Sequence, residues 1–304
     1  MRSLFLKILF SAVLFFAANE GFGSSDLNTL YNNELKPTLN LLKPQQEFEK
    51  KRQTTIYISI ALAIVIFIVF AKYFKLAGVL VWLVMVAGGY YVLTKNIPKS
   101  SYESLFLKKI VSPIGVNCCG YTYLGKKLNL QDIKNSSLFS PEIDNSYIGS
   151  SFGKSGVIVA YVVLTFKTKE SASVERFNKN RFEGFIIKID HPNTKNGAII
   201  SQGLIDEVAN MDLAMSSFFA KGKRGKKIGE WQIYGELDED MIDKITPLKR
   251  RSVGVSFTKD AIYIALPYKK DPFKVDSFKR FDLESAKELD TLFRDIDNIV
   301  SIFK

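Results

Sequence analysis

Residues 54–71 read TTIYISIALAIVIFIVFA and residues 76–93 read LAGVLVWLVMVAGGYYVL, and neither stretch contains a charged side chain. At 1.5 Å of helical rise per residue each run reaches roughly 27 Å, close to the hydrocarbon thickness of a bilayer. Core helices of soluble proteins keep a polar stripe, and these runs have none, so both predict membrane spans. Only Lys72, Tyr73, Phe74 and Lys75 lie between them. That short link predicts two antiparallel neighbours, a transmembrane hairpin over residues 54–93. Gly78, Gly88 and Gly89 would let the two helices approach closely.

Outward from the hairpin, positive charge gives an orientation. Lys50, Lys51, Arg52, Lys95, Lys99, Lys108 and Lys109 flank it, against Lys72 and Lys75 in the link, which predicts both flanks in the cytoplasm. Residues 1–23, MRSLFLKILFSAVLFFAANEGFG, place Arg2 and Lys7 around the start of an apolar core that ends in small residues. That is the layout of a signal peptide or of an extra membrane segment. A working signal peptide would carry residue 24 and the domain to the outside. The hairpin flanks count more charges, and they set the expectation of a cytoplasmic domain. In residues 24–53, Leu27, Leu30, Leu35, Leu39 and Leu42 form a helical stripe that Pro37 and Pro44 should interrupt. The segment is expected as a juxtamembrane helix in pieces, packed on the main domain or on a partner.

Residues 100–304 have the composition of a soluble domain. Strands are predicted at 156–168, 182–190, 198–202, 230–234, 252–258 and 261–267, the last two joined tightly through Lys259 and Asp260. Helices are predicted at 238–249 and at 283–303, where Leu289, Leu292, Phe293, Ile296, Ile299 and Val300 recur at helical spacing. The expected fold class is therefore α+β: an N-terminal two-span hairpin, then a mostly antiparallel sheet with a C-terminal amphipathic helix.

Composition narrows function. The 304 residues are 47% hydrophobic, which excludes a disordered chain, while 2 Cys and 1 His exclude a disulfide scaffold and a His-rich metal site. Lys and Arg number 42 against 31 Asp and Glu, a net charge of +11. Residues 1–99 hold 11 basic and 5 acidic side chains, so over half the excess belongs to the membrane third.

No set of residues for catalysis, cofactor binding or metal binding is apparent. GSSFGKS, residues 149–155, is one residue short of a phosphate-binding P-loop and precedes a strand rather than a helix. His191 stands before Pro192 without a visible acid or base partner, and Cys118 and Cys119 are adjacent, which is poor geometry for a mutual bridge. Glu236, Asp238, Glu239 and Asp240 lack the spacing of a calcium loop and suit a helix start. One basic run remains as a candidate contact for an anionic surface: Lys221, Lys223, Arg224, Lys226 and Lys227. No aromatic residue interleaves it, so nucleic acid is not expected.

The stretches NELKPTLNLL, EKKR, SPEIDNSYIGSSFGKSGVIVAYVVL, FEGFIIKID and EWQIYGELDEDMIDKITPLKRRSVGVSFTKDAIYIALPYKKDPF, in this order around a short hairpin, cover most of residues 27–273. Laid out this way, the chain resembles a bacterial membrane family, the domain-of-unknown-function family numbered 3137. The first 23 residues and the basic run at 221–227 depart from that pattern. The resemblance implies an architecture and carries no activity. The functional expectation is a multi-pass protein of the bacterial inner membrane whose α+β domain serves as an interaction or scaffolding module, and it leans away from an enzyme. The rivals are a membrane-tethered hydrolase and a peripheral anionic-lipid sensor. Expected partners are the lipid bilayer and another membrane or membrane-proximal protein, with a homo-oligomer left open.

Overall fold

A computed structural model describes residues 26–96, 101–139, 143–166, 181–192, 196–208, 226–237, 245, 248 and 252–303. The signal-like segment 1–23 lies outside them, as does most of the helix expected at 238–249. Nine strands form one sheet among the described residues: β1 (Thr122–Gly125), β2 (Ile143–Lys154), β3 (Val157–Phe166), β4 (Arg181–Asp190), β5 (Gly197–Ser201), β6 (Lys226–Ile228), β7 (Trp231–Gly235), β8 (Gly254–Phe257) and β9 (Ala261–Pro267). Their order is β1-β2-β3-β4-β9-β8-β5-β7-β6, and every pairing is antiparallel. The last strand thus sits mid-sheet and seams the β1–β4 meander to the β5–β8 half, with Ile187 opposite Ile264.

The central strands are apolar at nearly every position because both faces are covered. In β3, Val159 and Tyr161 point to one layer and Ala160 and Val162 to the other; in β9, Ile262 and Ile264 alternate with Tyr263 and Ala265 in the same way. Tight turns hold the register. Lys154 pairs with Val157 across Ser155 and Gly156, whose φ of 68° is a left-handed value that glycine adopts without strain.

Helical segments cover the sheet: α1 (Leu27–Leu30), α2 (Lys36–Asn96), α3 (Tyr102–Phe106), α4 (Ser112–Cys119), α5 (Leu130–Asn135), α6 (Gln202–Glu207) and α7 (Leu283–Ser301). Asp282 starts α7 by accepting the Ser285 N–H at 3.0 Å. The helix then buries Ala286, Leu289, Phe293, Ile296, Ile299 and Val300. Phe293 is the hub of this layer. Its ring meets Phe152 at 5.5 Å, Phe273 at 5.6 Å and Tyr121 at 5.7 Å, and Gly115 of α4 lies so close that an added Cβ would stand 3.1 Å from that ring.

Three expectations change. Pro37 and Pro44 do not break the N-terminal helix: Pro44 lies inside α2, and a π-helical turn at Tyr31–Leu35 leads into α2 just before Pro37. In that turn the Lys36 N–H reaches back to the Tyr31 carbonyl. The wider turn shifts the backbone where the proline ring, which has no N–H to give, would otherwise collide with the preceding turn. The same device recurs at Leu107–Val111, one residue before Pro113. Second, the choice left open for the juxtamembrane segment narrows to the main domain: Leu30, Leu35 and Leu42 are buried in the layer that contains α7. Third, no non-helical loop divides the two apolar runs: α2 is helical from Lys36 through Asn96, and the link at 72–75 carries neither Gly nor Pro to end it.

One helix among the described residues, Leu27–Val69, is long and apolar enough to cross a membrane, and none of its most apolar window is buried. A core helix of a soluble domain would bury that window. Among the residues of this helix whose burial is described, none beyond Glu49 is buried. Gln46 Nε2 donates to the carbonyls of Ser277 at 3.0 Å and Lys279 at 3.2 Å, and Ser277 Oγ donates to Gln53 Oε1 at 3.2 Å. Beyond them Tyr57, Ile58, Ile60, Leu62, Ile64, Val65, Ile68 and Val69 are all exposed.

Truncating Leu35, which is 0% exposed, to Ala should cost about 2–5 kcal/mol of stability. Leu41→Ala, at a site 76% exposed, should stay within about 0.5 kcal/mol. Denaturant unfolding of the full chain in detergent compares them, and equal effects would show that the helix is not docked.

Candidate functional site

A groove of about 610 Å³ runs between α7 and the neighbouring ends of β4 and β9. Its apolar wall is built from Phe185, Leu266, Leu292, Ile296 and Ile299, and its rim carries Arg181, Glu183, Lys269 and Asp295. Strand alternation puts Glu183 and Phe185 on the α7 face, and the β3–β4 register brings Tyr161 beside them, opposite Phe185. The Tyr161 hydroxyl donates to Glu183, which also pairs with Arg181 at 2.9 Å. Burial holds the Tyr161 phenol well above its ordinary range, and the hydrogen bond to Glu183 and its charge add to that. The phenol is thus a fixed donor.

A second tyrosine–carboxylate pair stands on the same face. Tyr147 on β2 donates to Asp271 Oδ2 at 3.4 Å, and Asp271 Oδ1 accepts the Phe273 N–H at 2.9 Å. Burial, then the charge of Asp271, pushes Tyr147 up to about 12. Burial likewise raises Asp271 above the usual carboxylate range, aided by Glu103 and opposed by the Phe273 N–H, Tyr147 and Lys274. Sequence reading missed both pairs. Their partners lie 22 and 124 positions apart, so only the sheet register could reveal them.

The lysine of GSSFGKS has a structural task. Lys154 closes β2 and makes an ion pair with Asp297 of α7, donates to the Cys119 carbonyl at 3.2 Å and lies 4.8 Å above the Tyr121 ring. It ties the β2–β3 hairpin to α4 and α7. Cys118 and Cys119 are half-buried at this junction, and burial raises both thiols, so neither is a ready thiolate nucleophile.

Of the candidate basic residues, Lys226 and Lys227 lie exposed on β6, the outermost strand, while Lys221, Lys223 and Arg224 lie outside the described residues. Lysines on an edge strand discourage pairing with other sheets, which gives these two a structural reason to be there. His191 is exposed at the end of β4, and its backbone N–H donates to Asp260. Glu236 is exposed, and Asp238, Glu239 and Asp240 lie outside the described residues. Among the described residues no group of three His, Cys, Asp or Glu side chains could hold a metal. A second hollow, about 590 Å³, lies on the opposite face beside the Lys188–Asp132 pair at 3.2 Å.

Fold and site together define an α+β domain with an all-antiparallel sheet, rooted on an apolar helix and bearing a charge-rimmed apolar groove. No family model matches the chain, and neither a curated protein nor a solved structure matches it.

Asp271 gives a pH prediction. The folded state holds its proton more tightly than the unfolded chain, where a carboxyl titrates near about 3.9. Its contribution therefore favours folding below that value and is lost as pH rises through the higher folded value. Asp271→Asn, neutral throughout, should gain stability relative to wild type as pH rises from about 4 to 7. Thermal unfolding across that range checks it, and a constant gap would refute it.

Proposed function

We propose that this chain is an integral protein of the bacterial inner membrane in which a two-span helical hairpin holds the α+β domain against the cytoplasmic face as an interaction or scaffolding module. The observation that carries the reading is the helix that is buried in the domain at Leu42 and exposes a long, largely apolar surface from Tyr57 to Val69. Water solvates such a surface poorly, whereas acyl chains cover it at no penalty.

A contact at Trp82 supports the hairpin. Its indole N–H donates to the Ala63 carbonyl at 2.8 Å, and its ring lies 4.6 Å from that of Phe67. Nineteen residues of straight helix would separate positions 63 and 82 by roughly 28 Å, so this contact supports a chain that doubles back between the two apolar runs. Lysines and arginines on the flanks favour the cytoplasm for the domain.

The groove favours an interaction module over a tethered hydrolase. Glu183 and Tyr161 are engaged with each other and with Arg181, which leaves that pair without an activated nucleophile. An apolar wall inside a charged rim suits a protein segment with an apolar face.

Reporters fused after Lys75 and Lys304 should read opposite sides, with Lys304 cytoplasmic. Both on one side would sink the hairpin, and a periplasmic Lys304 would reverse the orientation. A photo-crosslinking residue at Lys269, on the groove rim, should form a discrete adduct with another protein or a second copy in cells. No protein adduct would sink the module reading.

A further inference from the structure

Resting on that membrane reading, we propose that Lys50, Lys51, Lys279 and Arg280 form a collar at the root of the apolar helix that binds the phosphate headgroups of anionic phospholipids. The four cations come from two segments some 230 positions apart, and the helix root brings them together. Gln46 and Gln53 hold the chain at Ser277–Lys279 against the helix through three hydrogen bonds of 3.0–3.2 Å, and the Lys50 ammonium stands 5.7 Å from the centre of the Phe278 ring. All four cations are exposed.

Depth supports the assignment. The run of exposed apolar residues that continues to Val69 begins at Tyr57, four positions beyond Gln53, about 6 Å along the helix. The polar layer on each side of a bilayer is about 5–7 Å thick, which places the collar level with the lipid phosphates once Tyr57 enters the hydrocarbon. Phe278 adds an aromatic ring, 45% exposed, at the same level. Nothing in the domain's own packing calls for that ring to face solvent, whereas an apolar group among headgroups is stabilised there.

Three of the nearby carboxylates, though not the exposed Glu47, have partners within the chain. Glu49 is held by Arg52 at 2.7 Å and by Gln53 at 2.8 Å, Asp276 accepts the Phe278 N–H at 2.9 Å, and Asp282 caps α7. The guanidinium can grip a phosphate through two N–H groups, while the lysines act as mobile point charges. This surface differs from the contiguous basic run at 221–227, whose described members stand on the sheet edge.

Electron spin resonance of spin-labelled lipids tests the collar. The full chain is reconstituted in phosphatidylcholine vesicles containing trace spin-labelled phosphatidylglycerol or, in parallel, spin-labelled phosphatidylcholine. The motionally restricted fraction should favour phosphatidylglycerol by about threefold or more at low salt and lose that preference at 1 M salt. Changing all four residues to Gln should abolish the preference while the restricted phosphatidylcholine fraction stays intact. The pair Lys279→Gln and Arg280→Gln, on an exposed loop, should lower it partway. Neutralising the five basic residues at 221–227 should leave it unchanged. A preference that survives the fourfold change, is absent from wild type, or disappears only with the 221–227 change overturns the collar. If the wild-type chain restricts neither lipid and fails to float with vesicles, the membrane reading itself has failed.

Discussion

In the proposed membrane setting one helix meets two solvents, and the change falls between Gln53 and Tyr57. On the N-terminal side Leu30, Leu35 and Leu42 are buried against the domain and Gln46 and Gln53 are spent on its backbone and a buried serine. On the other side, from Tyr57 to Val69, the exposed surface is almost entirely apolar for more than three turns. Helical hydrogen bonds satisfy the backbone in either medium, so the side chains alone set the boundary. The placement of the domain, the fit of α7 against the first helical turns and the depth of the surrounding cations all follow from that point.

The domain can tolerate such an attachment because its sheet is sealed on both faces. β9 enters last and closes the middle, so the strand that completes the core also joins its two halves. Polar groups that this sealing traps are almost all matched: Ser151 Oγ accepts the N–H groups of Lys127 and Leu128, and Ser201 Oγ that of Val253. Ser256 Oγ is the exception, buried without a partner among the described residues. It is small enough to fit beneath Tyr263, its cross-strand neighbour, and we have no further account of it.

What the sequence revealed follows from how local each signal is. β3, β4, β5, β7, β8 and β9 were legible as β-branched or aromatic runs, and α7 as a stripe at helical spacing. The first half of β2, IDNSYI, is too polar to stand out, and β1 and β6 hold only four and three residues. The helices between Tyr102 and Cys119 were hidden by Pro113, Gly115 and the β-branched pair Ile110 and Val111, which a π turn and close packing on Phe293 accommodate. Pro37 misled for the same reason: a π turn precedes it and the helix continues. The basic run at 221–227 drew notice because its charges are contiguous. The tyrosine–carboxylate pairs and the helix root are assembled from distant positions, and no local pattern announces them.

If the apolar helix spans a bilayer as proposed, the absence of a linker between it and the domain has a mechanical consequence. Transmembrane helices lean by about 20° on average, and the lean changes with bilayer thickness. Here the leaning rod is also a wall of the folded domain, so a change of tilt swings the whole sheet about the helix root, with the outer strands travelling furthest. The groove beside α7 would then be presented at an angle that the membrane chooses. Under that proposal bilayer thickness becomes a variable that the domain expresses to whatever meets it.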